Sequence, residues 1–227
     1  MTISFPRRWP ARFPDRIQLY SLATPNGQKV STMLEETGLP YEAHRIDIVS
    51  GEQFDESFIK INPNSKIPAI IDPDGPDGKP AGFMESGAIL MYLAEKSGRF
   101  LPRDSARRWE TLQWLFFQVG HIGPMFGQFG HFYKYAADKT TDDYGVTRYT
   151  AETRRLLAVL ERRLQGRDWI MGSELTIADF AIAPWVKGLD WYDGHDVLGT
   201  DAFERVVAWR DRFYARPGVQ AGMTVCA

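Results

Sequence analysis

The sequence has 227 residues, with 27 basic and 29 acidic side chains and a formal net charge of −2. That length fits one large domain or two small ones, and a 44% hydrophobic content is enough to build a core. A near-neutral balance argues against nucleic acid or an anionic membrane surface as the main partner. No run approaches the roughly 18 apolar residues of a membrane span. Cys226 is the only cysteine, which excludes an internal disulfide and a disulfide-stapled scaffold.

Residues 1–16 mix Arg7, Arg8, Arg12 and Arg16 with prolines and aromatics. Pro10, Arg12 and Pro14 interrupt any apolar stretch of secretory type, so the segment reads as an irregular N-terminal arm and a cytoplasmic location is expected. Ile17-Gln18-Leu19-Tyr20 alternates as a strand. After a turn over 21–27, Val30, Met33 and Leu34 mark one face of a helix, with Gly38 placed to end it and Pro40 to bar its continuation. His44, Ile46 and Ile48 alternate with Arg45 and Asp47, which predicts a second strand, parallel to the first across a helical crossover.

A turn at Asn62-Pro63-Asn64 leads into a third strand over Ile67–Ile71. The Asp-, Gly- and Pro-rich stretch from Asp72 to Pro80 reads as a hairpin loop, returning through an antiparallel strand at Gly82–Met84. Glu85-Ser86-Gly87 then opens a helix with Ile89, Leu90, Tyr92 and Leu93 as its apolar positions. The order β-α-β, loop, β-β-α predicts a small α/β domain over 17–98 with a mixed four-stranded sheet. Residues 99–104 read as a linker. Everything over 105–220 reads as an all-α domain, with stripes at Trp109/Leu112/Phe116/Val119, at Leu156/Leu157/Leu160/Leu164 and at Phe203/Val206/Val207/Phe213/Tyr214. Thr176-Ile177-Ala178-Asp179 is a capping box, with Thr176 as N-cap and Asp179 at N3, and its role is structural.

The four histidines are not at metal spacing, and no nucleophile elbow, P-loop, dinucleotide fingerprint or paired-carboxylate signature occurs. Cys226 lies in the tail and not at a helix N-terminus that would acidify its thiol, so if the chain is an enzyme its nucleophile is expected to come with the substrate. Three segments can receive one. Thr24-Pro25-Asn26-Gly27-Gln28-Lys29 stands at a helix N-terminus, where free N–H groups and the helix dipole favour an anion, although plain N-capping by Thr24 or Asn26 is the plainer account. Lys66-Ile67-Pro68 precedes a strand, and a cis bond there would turn the Ile67 backbone toward an extended peptide, against a trans turn proline as the plainer account. Glu85-Ser86 can hold an ammonium and a carboxylate, or Ser86 can simply be a cap.

Together TPNGQK, SKIPAI and MESGAILMYLAEK resemble the thioredoxin-like domain of cytosolic glutathione transferases, and the first two segments resemble the nu class, bacterial enzymes with disulfide-bond oxidoreductase activity. The yeast nitrogen-regulator prion protein shares the pattern. LQWLFFQVGHIGPMFGQFGHF and TIADFAIAPW extend the resemblance through the second domain, over roughly residues 17–215. It implies that Asn26 and Thr24 stand by the glutathione sulfur as catalytic donors, and that Ile67 pairs its backbone with glutathione ahead of a cis Pro68. Glu85 and Ser86 would hold the γ-glutamyl head, and Gln53 and Lys66 would reach the glycyl end or backbone. Arg148 would lie near a second glutathione in a dimer cleft. The chain departs from its relatives at Leu22-Ala23, often proline there, at its extra arm, and at Phe129-Gly130. The resemblance also implies a homodimer using reduced or oxidised glutathione as co-substrate, without metal, acting on small-molecule thiols and disulfides. A conventional transferase or peroxidase, or a non-catalytic binding module on the same fold, are the alternatives. Trp114, Phe117, Phe126 and Phe129 are candidates to line the co-substrate cleft.

Overall fold

The computed structural model describes residues 5–139 and 141–227. The chain forms two compact units. One runs to Gly98 and takes in Pro217–Ala227, and the other is Arg99–Arg216.

The first unit holds β1 (Ile17–Ser21), α1 (Pro25–Thr37), β2 (Tyr41–Arg45), α2 (Glu56–Ile59), β3 (Ala69–Asp72), β4 (Ala81–Met84) and α3 (Ser86–Ser97). Its four-stranded sheet has the order β2-β1-β3-β4. β1 pairs parallel with β2, while β3 pairs antiparallel with both β1 and β4, so the sheet is mixed as the sequence predicts. The second strand lies at Tyr41–Arg45, not over 44–48: β1 has only five residues, and its last, Ser21, is opposite Arg45. Alternation persists beyond the pairing because Ile46 still reaches the core, but no β1 residue remains to extend the ladder.

α1 buries Val30, Met33 and Leu34 completely, each worth roughly 1.5–3 kcal/mol relative to exposure. Gly38 ends it at φ 70° and donates its N–H to the Leu34 carbonyl at 3.0 Å, a left-handed turn that a side chain disfavours. The described part of the N-terminal arm is packed. Phe5 and Trp9 lie on a core cluster of Tyr20, Ile46, Phe58, Ala69 and Ile71. Arg8 reaches Glu52 at 2.6 Å and Asp55 at 3.3 Å, and the Glu42 carboxylate accepts the N–H groups of Arg12 and Phe13.

The second unit is helical: α4 (Ser105–Phe117), α5 (Gly123–Gly130), α6 (Tyr144–Arg163), α7 (Ile177–Gly188), α8 (His195–Leu198) and α9 (Glu204–Tyr214). The path from α4 to α5 widens to π-helical geometry over Gln118–Ile122, and the chain does so again directly after α5, over His131–Tyr135. Leu156, Leu157, Leu160 and Leu164 are buried as their spacing predicts. The stripe expected on α4 is not a core stripe. Leu112 is buried with Leu115, whereas Trp109 is 63% and Phe116 61% exposed. Phe126 and Phe129 are fully buried, so they pack the core and line no cleft.

The capping box of α7 is present. Asp179 is fully buried and accepts from the N–H groups of Ile170 and Thr176 at 2.8 and 2.9 Å, and from Trp209 Nε1 at 2.9 Å. Burial pushes its carboxyl up to about 6 against those donors. Among the described residues no helix is long and apolar enough to cross a membrane.

The last helix, α10 (Pro217–Met223), belongs to the first unit, so the helical unit ends before the residue 220 that the sequence pattern suggests. The reason is a close approach. A Cβ built on Gly222 would stand 2.5 Å from Thr32 Cα, so α10 seats its backbone directly on α1.

Candidate active site

Three segments meet at one end of the sheet. Ala69, the first residue of β3, pairs with Tyr20 near the end of β1 on one side and with Met84 at the end of β4 on the other. The turn after β1, the approach to β3 and the turn after β4 therefore emerge together. These are the segments that carry Thr24 and Asn26, Ile67 and Pro68, and Glu85 and Ser86.

In the first turn Thr24 is the N-cap of α1, extended at φ −83° and ψ 168°, with Pro25 at the first helical position. Its Oγ1 accepts the Gly27 N–H at 3.3 Å. The capping role of Thr24 is thus real, and it leaves the hydroxyl proton available to donate outward. Asn26 follows half-buried in the first turn of α1. Only glycine fits at 27, since a Cβ there would lie 1.9 Å from the Leu22 carbonyl oxygen. That contact folds Leu22 over the helix start, and the tail fixes it further, with Ala23 N–H donating to the Cys226 carbonyl at 3.1 Å.

In the second segment Asn62 is buried, and its Nδ2 donates to the Lys66 carbonyl at 2.6 Å while its Oδ1 accepts from Asn64 N–H at 3.0 Å. The Ile67–Pro68 peptide is cis. Lys66 is exposed and Pro68 buried. Gln53 sits in a short 3₁₀ turn over Glu52–Phe54 and directs Nε2 to the Ile48 carbonyl at 3.3 Å. Its amide oxygen is buried and has no hydrogen-bond partner among the described residues.

In the third, Glu85 has φ 66° and ψ 113°, and its side chain makes no cap to α3. It is exposed, whereas Ser86 is buried and its Oγ accepts from Lys29 Nζ at 3.1 Å. Lys29 closes the TPNGQK segment and Asn62 opens the turn before SKIPAI, but the sequence alone assigns neither a role in the site. For Lys29 a signal exists: it lies three and four residues before Thr32 and Met33, on the buried face of α1. Asn62 has the pattern of a turn residue, and nothing local marks its reach to Lys66.

Arg148 belongs to the helical unit. It is exposed at the rim of a cavity of about 530 Å³ lined also by Met125, Tyr144, Thr147, Glu152 and Arg155. Cys226 has its thiol pushed up to about 11, first by burial. A thiol so placed is protonated at neutral pH and a poor nucleophile.

A sheet of this order, with an uncapped helix start, a cis proline before β3 and a helical second unit, defines the glutathione-transferase class of fold. The glutathione S-transferase N-terminal domain model matches residues 23–96 and the C-terminal domain model residues 131–217. The chain is 45% identical over 218 residues to the Escherichia coli disulfide-bond oxidoreductase YghU, covering 92% of this chain and 74% of that protein. Among solved structures it is similar to a Pseudomonas fluorescens glutathione transferase family member with two glutathione bound, at 52% identity and TM-score 0.95, covering 96% of this chain and 97% of that one. A Pseudomonas putida glutathione transferase with one glutathione disulfide bound per subunit matches at the same identity and TM-score, covering 98% of both chains. The chain belongs to the glutathione S-transferase family.

Proposed function

We propose that this protein is a glutathione-dependent disulfide-bond oxidoreductase in which the attacking sulfur is that of bound glutathione. The observation that carries the reading is a pair of donors, Thr24 and Asn26, at a helix start, in a chain whose only cysteine is Cys226. A free thiol has a pKa of about 8.5, and hydrogen-bond donors with a helix N-terminus favour its thiolate. Glu85 takes the ammonium and Ser86 the carboxylate of the γ-glutamyl head. Ile67 pairs its backbone with the cysteinyl residue before Pro68. Lys66 reaches the glycyl end, together with Gln53 once its amide turns from Ile48.

The thiolate attacks one sulfur of the substrate disulfide, forming a mixed disulfide and releasing the other sulfur as a thiolate. A second glutathione thiolate attacks the glutathione sulfur of that adduct, giving glutathione disulfide and the second substrate thiol. In a homodimer Arg148 would serve this second glutathione. Trp109 and Phe116, seven apart on one helix face and both largely exposed, support a partner surface on the helical unit. Chemistry that consumes reduced glutathione fits the cytoplasm, where thiols are kept reduced.

The test is turnover of a small dialkyl disulfide with reduced glutathione, following glutathione disulfide, in the parent protein and in Asn26→Ala. Loss in the variant supports the reading. Conjugation of an electrophile outpacing disulfide turnover would instead assign a conventional transferase, and binding of neither glutathione form a non-catalytic module.

A further inference from the structure

We propose that Lys29 is a positioning residue for the γ-glutamyl end of the substrate, its buried ammonium holding Ser86 as a donor and placing a positive charge beneath the carboxylate. This rests on the glutathione reading and adds to it a residue outside the surface of the site. Lys29 is 2% exposed, and its Nζ stands 3.1 Å from Ser86 Oγ. An ammonium has donors only, so Ser86 Oγ must accept, and the single hydroxyl proton is left to point at a ligand. A methionine of similar length would fill the same space with no ion to desolvate, so packing alone does not call for lysine here.

The electrostatics run the same way. Burial lowers Lys29 to about 7, opposed by the field of Glu85 at the β4–α3 junction. Of the helices packed on α1, α10 carries no titratable side chain, and α3 carries Tyr92, whose hydroxyl donates to Asp72, with Glu95 and Lys96 at its far end. The tail beyond α10 adds Cys226, which lies beside Ala23. A carboxylate arriving on Ser86 therefore meets a lysine that is partly neutral at pH 7, and binding draws a proton onto it. Once neutral, Nζ can accept the Ser86 hydroxyl proton and withdraw the donor from the ligand. Affinity for the γ-glutamyl carboxylate should then fall as pH rises above about 7.

The experiment is titration calorimetry of the full chain with S-methylglutathione, which has no thiol to ionise, in buffers of different ionisation enthalpy. The parent protein should take up about half a proton per site at pH 7 and almost none below pH 6. Lys29→Met should bind about 10-fold more weakly, without proton uptake. It should also raise KM for glutathione more than it lowers kcat. An S-methyl analogue lacking the γ-glutamyl α-carboxylate should be bound equally by both proteins. Should Lys29→Met not fold, proton uptake by the parent protein decides alone. Binding by the parent without uptake at pH 7 overturns the role of Lys29 and leaves the glutathione reading standing. No binding of S-methylglutathione by the parent at any pH overturns both.

Discussion

α7 and α3 each begin where a hydroxyl residue and an acidic one lie close in sequence, yet their N-termini are put to opposite uses. At α7 the acid is three residues into the helix, Asp179, and turns back to take the Thr176 N–H at 2.9 Å while also holding Ile170 and Trp209. Every strong acceptor of that carboxylate faces the protein's own donors, so nothing is left for a ligand. At α3 the acid precedes the hydroxyl. Glu85 lies at positive φ with its side chain exposed and uncapped, and Ser86 accepts from Lys29 instead of capping the helix. The helix dipole and free amides are then available to an anion. Residue order within a three- or four-residue window decides whether a helix start is closed for stability or open for binding.

The largest expected effect breaks the closed end. Asp179→Ala leaves the Ile170, Thr176 and Trp209 donors unpaired, at a cost of about 3–5 kcal/mol read from urea unfolding. The pH dependence has a definite sign. Folding raises the Asp179 pKa from 3.8 to about 6, so the native state holds this proton more tightly. Its contribution to stability is present below about 4 and is lost as pH rises through 6. Asp179→Asn should remove that slope, and an unchanged slope would show that Asp179 does not titrate in this window.

At the open ends the effects should fall on chemistry. Asn26→Ala should lower kcat/KM for disulfide reduction about 100-fold, the scale of one lost anion donor, and raise the pKa of bound glutathione by thiolate absorbance. Its unfolding midpoint should barely move, because Thr24 keeps the cap on Gly27. Glu85→Gly should separate stability from function. Glycine accepts φ 66° without strain, so the variant should gain about 1 kcal/mol in stability. Losing the ammonium acceptor should raise KM for glutathione about 10-fold. A variant that is both more stable and equally active would place the γ-glutamyl head elsewhere.

The legible parts of this chain are those where one local rule decides the outcome. Gly38 ends α1 because positive φ requires glycine, and the 176–179 box starts α7 because its two side chains satisfy each other's backbone. The order and direction of the strands come from connection lengths. Local patterning fails where a partner at long range decides. β2 stops at Arg45 because β1 runs out, not because its own alternation ends. Trp109 and Phe116 have core spacing, but periodicity says only that residues share a face, not what covers that face. α10 leaves the helical unit because Gly222 meets Thr32, a contact 190 residues apart in the sequence. At the candidate site, Thr24, Asn26, Glu85 and Ser86 are readable from motif and helix-start chemistry. Lys29 is hidden because a lysine is ordinarily solvated, and Asn62 because its bond to Lys66 looks like an ordinary turn.

The smallest expected effect tests whether the site needs the chain's own sulfur. Cys226 lies beside the turn that carries Thr24 and Asn26 through its carbonyl, which accepts the Ala23 N–H at 3.1 Å, while its thiol is pushed up to about 11 by burial. Backbone and side chain thus have separable roles. Cys226→Ser keeps the carbonyl and removes the thiol, and disulfide turnover should stay within about two-fold of the parent. Replacing Ala23 by proline removes the N–H and leaves the thiol, and should loosen the turn that carries Thr24 and Asn26, raising KM for glutathione. If Cys226→Ser instead abolished turnover while glutathione still bound, the reaction would pass through a protein mixed disulfide, and the donors at α1 would serve binding alone.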